Sequence, residues 1–194
     1  MNWLALSAFV LFTYILAAIP FALVISKLKN VDLRSVGSGN IGATNVYRAL
    51  GLTYALPVFL LDAAKGALPV YASMQYFESA WLHMLIGFVA IFAHSLSCFV
   101  GFKGGKGVAT GLGVLLALSP SIAAIIAGLA FLLIYTTKYV APTSIFCSIL
   151  APLLFYVNHY PLAYSSGLAL IAFFIIIRHR SNISRLLSGQ ENKI

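Results

Sequence analysis

Three short stretches of this chain collect the residue types that hold anions: Gly37-Ser-Gly-Asn-Ile-Gly-Ala-Thr-Asn-Val-Tyr-Arg48, Gly101-Phe-Lys-Gly-Gly-Lys-Gly107 and Arg178-His-Arg-Ser-Asn182. In the first, the glycines permit tight turns and close backbone approach, and Ser38, Asn40, Thr44 and Asn45 offer neutral hydrogen bonds. Arg48 adds a fork suited to a phosphate or a carboxylate. In the second, Lys103, Gly104, Gly105, Lys106 and Gly107 lead straight into an apolar run. Glycine amides running into a helix N-terminus form an anion nest, and the same amides suit an oxyanion. In the third, arginines at a helix C-terminus are favoured by the helix dipole alone, but His179 and Asn182, at i and i+3, also share one face. A histidine beside a phosphate acts as general acid, general base or hydrogen-bond donor, and the residues leave all three open.

Other motif readings fall away on context. Gly37-x-Gly-x-x-Gly42 is followed about twenty residues on by Asp62, as in a dinucleotide site, but no strand precedes it and Asp62 lies inside an apolar run. The 101–107 stretch lacks the first glycine and the Ser/Thr of a phosphate-binding P-loop. The four carboxylates, Asp32, Asp62, Glu78 and Glu191, form no acid/base pair, and no histidine or cysteine has metal-ligand spacing. Cys98 and Cys147 read as packing residues. Asp62 and Lys65, i and i+3 in an apolar run, are expected to neutralise each other or partners on other helices in an orienting role, and His94 to be a polar packing residue. Ser144 is by itself an ordinary helix serine. The chemistry that remains needs good anion binding, no metal or other cofactor, and little general-base power.

These residues must be positioned by hydrocarbon. A chain of 194 residues that is 61% hydrophobic and 8% charged, with mean hydropathy +0.99, is an all-α polytopic membrane protein forming one domain over 1–194. The net charge of +8 sits in short loops between apolar runs, the pattern of membrane topology rather than of nucleic-acid binding. The runs fall at 3–26, 52–74, 81–100, 108–118, 121–135, 140–157 and 162–177. The first lacks the flanks of a cleaved signal and reads as a retained span. With seven crossings and the N-terminus outside, the loops holding Lys27, Lys29, Arg34 and Arg48, then Lys103 and Lys106, then Lys138, then Arg178, Arg180, Arg185 and Lys193 are all cytoplasmic. Merging the fourth and fifth runs into one helix kinked at Pro120 would export the basic C-terminal segment, so seven spans are expected. The fourth, with eleven residues, rises only about 16 Å and implies a re-entrant or thinned region. The segment after 177 is amphipathic and is expected along the inner surface.

Taken together, Gly37 through Gly51, Asp62-x-x-Lys-Gly66, Gly101-Phe-Lys-Gly-Gly-Lys-Gly-Val-Ala-Thr110 and Arg178-His-Arg-x-Asn-Ile-x-Arg-Leu-Leu-x-Gly189 closely resemble the bacterial acyl-phosphate:glycerol-3-phosphate acyltransferases, the PlsY type. The resemblance implies seven transmembrane helices and a cytoplasm-facing site in the bacterial cell (inner) membrane. It implies transfer of a fatty acyl group from acyl phosphate to the sn-1 hydroxyl of glycerol 3-phosphate, giving lysophosphatidic acid and phosphate in the first step of phospholipid biosynthesis. A soluble phosphate:acyl-carrier-protein acyltransferase would supply the acyl phosphate. By position, Arg48, Lys103, Lys106 and the amides of Gly104, Gly105 and Gly107 would hold phosphate groups. Ser38, Asn40, Thr44, Asn45, Ser144, His179 and Asn182 would orient glycerol phosphate and the reacting carbonyl, with Ser38, Lys106, His179 and Asn182 at the chemistry. Ser181 stands where the family has a glutamate. A mixed anhydride carries its own leaving group, so direct attack without an acyl-enzyme is expected, with His179 or the substrate's phosphate as base. The rival is a transporter of a small phosphorylated anion.

Overall fold

The computed structural model describes residues 3–194 and, among them, contains helices and turns only. The first apolar run is two helices, α1 (Trp3–Ala18) and α2 (Phe21–Lys27). They part at Pro20, which lacks the N–H that would continue the ladder. Two carbonyls freed by the break are taken up across the bundle: Ser97 Oγ donates to Ala18 O at 2.6 Å and Lys65 Nζ to Ile19 O at 2.9 Å. After a turn region comes α3 (Ala43–Leu50), then α4 (Leu52–Tyr76) and α5 (Ala80–Ser95). The third apolar run therefore ends as a helix at Ser95. Residues 98–100 form a single 3-10 turn, on which Cys98 is exposed rather than packed as expected, whereas Cys147 is in the core.

The remaining helices are α6 (Val108–Leu118), α7 (Pro120–Thr137), α8 (Val140–Val157), α9 (Leu162–Arg178) and α10 (Arg180–Leu187). Pro120 does not kink one long helix; it starts a new one, at the first helical position, where its missing N–H costs nothing. Ser119 caps it by accepting from Ile122 N at 3.4 Å. Helices α9 and α10 meet at a bend of 58° centred on His179.

Packing between helices is driven by close approach at small residues. A Cβ on Gly66 of α4 would run into the Thr110 carbonyl of α6, and one on Gly113 of α6 into the Ala63 carbonyl of α4. Small residues at both points let the two backbones touch, as membrane helices require when apolar burial gives no net drive. Val70, Ile86, Ile91, Val114, Phe155 and Leu168 fill the centre of the bundle. Large apolar side chains such as Leu60, Leu68, Phe131, Leu132 and Phe173 face outward, which in a membrane is contact with lipid.

The connections collect at two ends. At one, Arg34 reaches Val100 O at 3.4 Å, Lys106 meets Asn182, Arg48 reaches residues 192 and 193, and Ile194 N donates to Lys138 O at 3.0 Å. At the other, His83 bridges Tyr164 (2.8 Å) and Phe77 O (2.7 Å), and Ser119 bonds Tyr160 at 2.8 Å. All the basic loops thus share one end. Helix α6 links the two ends with eleven residues, and the glycine loop before it is bonded to the end of α5. Five helical stretches are long and apolar enough to cross a bilayer, and a sixth if α9 and α10 are joined across their bend.

Candidate active site

A cavity of about 330 Å³ opens at the basic end, lined by Ser38, Gly39, Asn40, Lys106, Ile177, Arg178, Arg180, Ser181 and Arg185. Four of these nine are cations and none is a carboxylate. Each wall has a local cause. The 37–40 turn is held by Asn45: its Oδ1 accepts from Ser38 N at 3.0 Å while its Nδ2 donates to Leu33 O (2.9 Å) and Val36 O (3.0 Å). Asn45 is 1% exposed, so its expected contact with substrate is corrected to that of a brace for Ser38 and Asn40. Thr44 lies on the same short helix but outside the cavity.

The glycine loop also departs from the anion-nest reading. Gly104 N donates to Ser95 O at 3.0 Å and Gly105 N to His94 O at 3.2 Å, so both amides are committed to the end of α5. Their lack of a side chain serves close packing: a Cβ on Gly104 would meet His94 O and one on Gly105 the His94 ring. Gly107, at φ 83°, turns the chain into α6, whose first-turn amides are the anion donors that this loop retains. Lys103 is exposed on the outside of the turn and does not line the cavity.

Lys106 projects into the cavity and donates to Asn182 Oδ1. Burial, then the charge of Arg185, lowers its pKa to about 8. The other side of Asn182 donates to Glu191 Oε1 at 2.6 Å, and Glu191 Oε2 accepts from Arg185 Nε at 3.0 Å. Arg178, on the last turn of α9, reaches across to the carbonyls of Gly104 and Gly105, each at 3.3 Å. Arg178 and Arg180 belong to the third anion-holding stretch, but neither they nor Arg185 and Glu191 are given individual roles from the sequence. The arginines at the end of α9 are accounted for by the helix dipole, and only the 58° bend, invisible in the sequence, brings Arg185 round to face Lys106.

His179 sits at that bend, 2% exposed and behind the cavity wall. Its Nδ1 lies 2.8 Å from Ile175 O, so Nδ1 carries the proton and Nε2 presents a lone pair. Burial, reinforced by the nearby charges of Lys106 and Arg178, lowers its pKa to about 4. His179 is therefore a neutral hydrogen-bond acceptor at Nε2, and the donor role there is excluded in this tautomer. Arg48 donates to Lys193 O (3.3 Å) and Asn192 O (3.0 Å) and stands beside the cavity rather than in its wall. Ser144 is not in the cavity lining, and its Oγ donates back to Val140 O at 2.8 Å within its own helix. Asp62 and Lys65 form a buried pair at 2.8 Å, with His94 Nδ1 3.6 Å from the carboxylate. Asp62 and Lys65 thus pair with each other, the first of the two alternatives their spacing allows.

The fold and the pocket define a multi-span helical membrane protein with a cationic, carboxylate-free cavity at one end of its bundle. Residues 7–189 match the family model for glycerol-3-phosphate acyltransferase. The chain is 44% identical over 191 residues to the glycerol-3-phosphate acyltransferase of Fusobacterium nucleatum, covering 98% of each, and 47% identical over 186 residues to that of Aquifex aeolicus, covering 95% of this chain and 96% of the relative. The crystal structure of PlsY, an integral membrane glycerol 3-phosphate acyltransferase, in its glycerol 3-phosphate form superposes with a TM-score of 0.94 at 44% identity, covering 98% of this chain and 96% of that one. Its lysophosphatidic acid form gives 0.92 at 42% identity, with 98% and 95% covered. The chain belongs to the glycerol-3-phosphate acyltransferase family, which sets the transporter reading aside.

Proposed function

We propose that the chain moves a fatty acyl group from acyl phosphate to the sn-1 hydroxyl of glycerol 3-phosphate. The observation that carries this is a cavity walled by Lys106, Arg178, Arg180 and Arg185 with no carboxylate in its lining, the adjacent Glu191 being engaged by Asn182 and Arg185. Such a site neutralises phosphate but supplies little basicity, which suits an activated mixed anhydride better than a thioester that must be attacked with strong base assistance. The glycerol 3-phosphate and lysophosphatidic acid forms of the solved relative support this, since both molecules carry a phosphate that a cationic cavity suits.

In this reading Lys106 and the arginines hold the two phosphate groups, the α6 amides face the developing oxyanion, and Ser38 and Asn40 orient glycerol phosphate. The sn-1 oxygen attacks the acyl carbon, and the C–O bond to phosphate breaks with its electron pair leaving on phosphate. The hydroxyl proton passes to a phosphate oxygen. A phosphate monoester with a second pKa of about 6 is the stronger base beside a histidine near 4. His179, behind the cavity wall, holds the α9–α10 bend through its Nδ1–H on Ile175 O, and from that bend Asn182 keeps Lys106 in place. In this reading the chain crosses the membrane seven times with the N-terminus outside and the cavity on the cytoplasmic side, a reading supported by α6 running between the two ends and by the positive-inside distribution. There it would receive acyl phosphate made by a soluble acyltransferase acting on acyl-carrier protein. The test is turnover by purified protein of acyl phosphate and glycerol 3-phosphate; product formed only from a thioester donor overturns the reading.

A further inference from the structure

We propose that His94, braced by the buried Asp62–Lys65 pair, is a positioning residue that holds the Gly104–Gly105 backbone against the end of α5 and so fixes where Lys106 enters the cavity. The inference rests on the acyltransferase reading for what Lys106 does, and on this structure for how Lys106 is held.

The contacts form an unbroken series from the membrane-spanning helices to the pocket. Lys65 Nζ caps the broken end of α1 through Ile19 O at 2.9 Å and pairs with Asp62 at 2.8 Å. A cation at a helix C-terminus is favourably placed, which helps explain why a lysine is retained in the hydrocarbon interior. Asp62 in turn lies 3.6 Å from His94 Nδ1, an atom that has no hydrogen-bond partner among the described residues. The carboxylate thus faces the imidazole at Nδ1 at ion-pair distance. The ring's outer atoms, Nε2 and Cε1, press on Gly105 so closely that a Cβ there would collide with both. The His94 and Ser95 carbonyls accept from Gly105 N and Gly104 N. One Arg178 nitrogen reaches the Gly104 and Gly105 carbonyls and that of Ser95 as well. The loop is thus tied to the end of α5 and to Arg178 and abuts the imidazole, and Lys106 is the next residue.

A buried ion pair is poor evidence for stability, since apolar replacements often match it. Its attested use is to specify one arrangement, and here that arrangement ends one residue from the cation that faces the phosphate. The consequence is a steric coupling specific to His94 and Gly105.

The experiment is a double-mutant cycle with Gly105→Ala and His94→Asn. Asparagine keeps a donor near the Nδ1 position, facing Asp62, and removes the ring edge that abuts residue 105. In the parent protein, Gly105→Ala should lower kcat/KM for acyl phosphate by about 100-fold, the scale of a misplacement of about 1 Å in a catalytic group. In the His94→Asn background the same change should cost less than about tenfold, because the obstructing edge is gone. Equal losses in both backgrounds overturn the proposal. If Gly105→Ala folds only in the His94→Asn background, the coupling is upheld; if it folds in neither, the coupling is refuted. Should the parent protein show no turnover of acyl phosphate, the acyltransferase reading alone fails, and the His94–Gly105 coupling is read from the melting temperatures of the same four proteins.

Discussion

The lowered pKa of Lys106 has a consequence for the pH dependence of the reaction. The drop from 10.5 to about 8 corresponds to about 3 kcal/mol disfavouring the ammonium, at about 1.36 kcal/mol per pH unit. The ammonium is the form that attracts phosphate, so kcat/KM, which reports the free enzyme, should be level below about pH 8 and fall about tenfold per unit above it. A phosphate charge about 4 Å away at an effective dielectric of about 20 contributes about 4 kcal/mol in the opposite direction. That exceeds the cost of burial, so in the substrate complex Lys106 should return to the ordinary lysine range and kcat should stay level to about pH 10. Lys106→Arg keeps its charge throughout and should abolish the alkaline limb of kcat/KM, whatever its absolute rate. Lys106→Met should lose about 100-fold to 1000-fold at pH 7, the effect of removing one buried charge partner, and show no alkaline limb. The assay is initial-rate kinetics from pH 6.5 to 10 with glycerol 3-phosphate varied at saturating acyl phosphate. A wild-type kcat/KM level across that range, or a limb near pH 8 that persists in Lys106→Arg, refutes the reasoning.

Asn45→Ala should act on the fold rather than on the chemistry: it removes three hydrogen bonds and strands the buried Leu33 carbonyl, costing about 2–4 kcal/mol, read as a lowered melting temperature in detergent. Gly66→Val should separate α4 from α6 by overpacking at the Thr110 carbonyl, costing about 1–3 kcal/mol or more by the same measurement, whereas valine at the exposed, unobstructed Gly128 should be neutral. His179→Ala removes the Nδ1–H bond to Ile175 O that holds the α9–α10 bend and should lower kcat/KM by about 100-fold, the scale of a misplacement of about 1 Å in a catalytic group. His179→Asn, which keeps a donor near Nδ1, should restore activity better than His179→Gln.

Much of the architecture can be read from composition, because lipid and water sort residues strongly. The positive-inside pattern groups the loops that the structure joins at one end through Lys106–Asn182, Arg48–Lys193 and Lys138–Ile194. Pro120 is legible as a helix start, though Pro20 in a longer apolar run is not legible as a break without the partners, Ser97 and Lys65, that satisfy the freed carbonyls. Within the site, charge type is legible and backbone commitment is not. Gly104 and Gly105 have the composition of an anion nest, but whether a glycine amide faces a ligand or a carbonyl depends on what lies beneath it, here the end of α5. Asn45 and Ser144 make the same point: an amide or hydroxyl satisfied by nearby backbone looks identical in sequence to one that is free. Arg185 and Glu191 were missed because their approach to Lys106 and Asn182 is made by a bend at His179 that no residue type announces.

The central claim is direct acyl transfer from a mixed anhydride in a cationic pocket without a strong protein base. It is tested most directly by mixing purified protein with acyl phosphate, with and without glycerol 3-phosphate, while following phosphate, lysophosphatidic acid and the mass of the protein. The account predicts phosphate and lysophosphatidic acid in equal amounts only when glycerol 3-phosphate is present, with no acylated protein at any time. A stoichiometric burst of phosphate in its absence, accompanied by an acyl adduct on the protein, contradicts it.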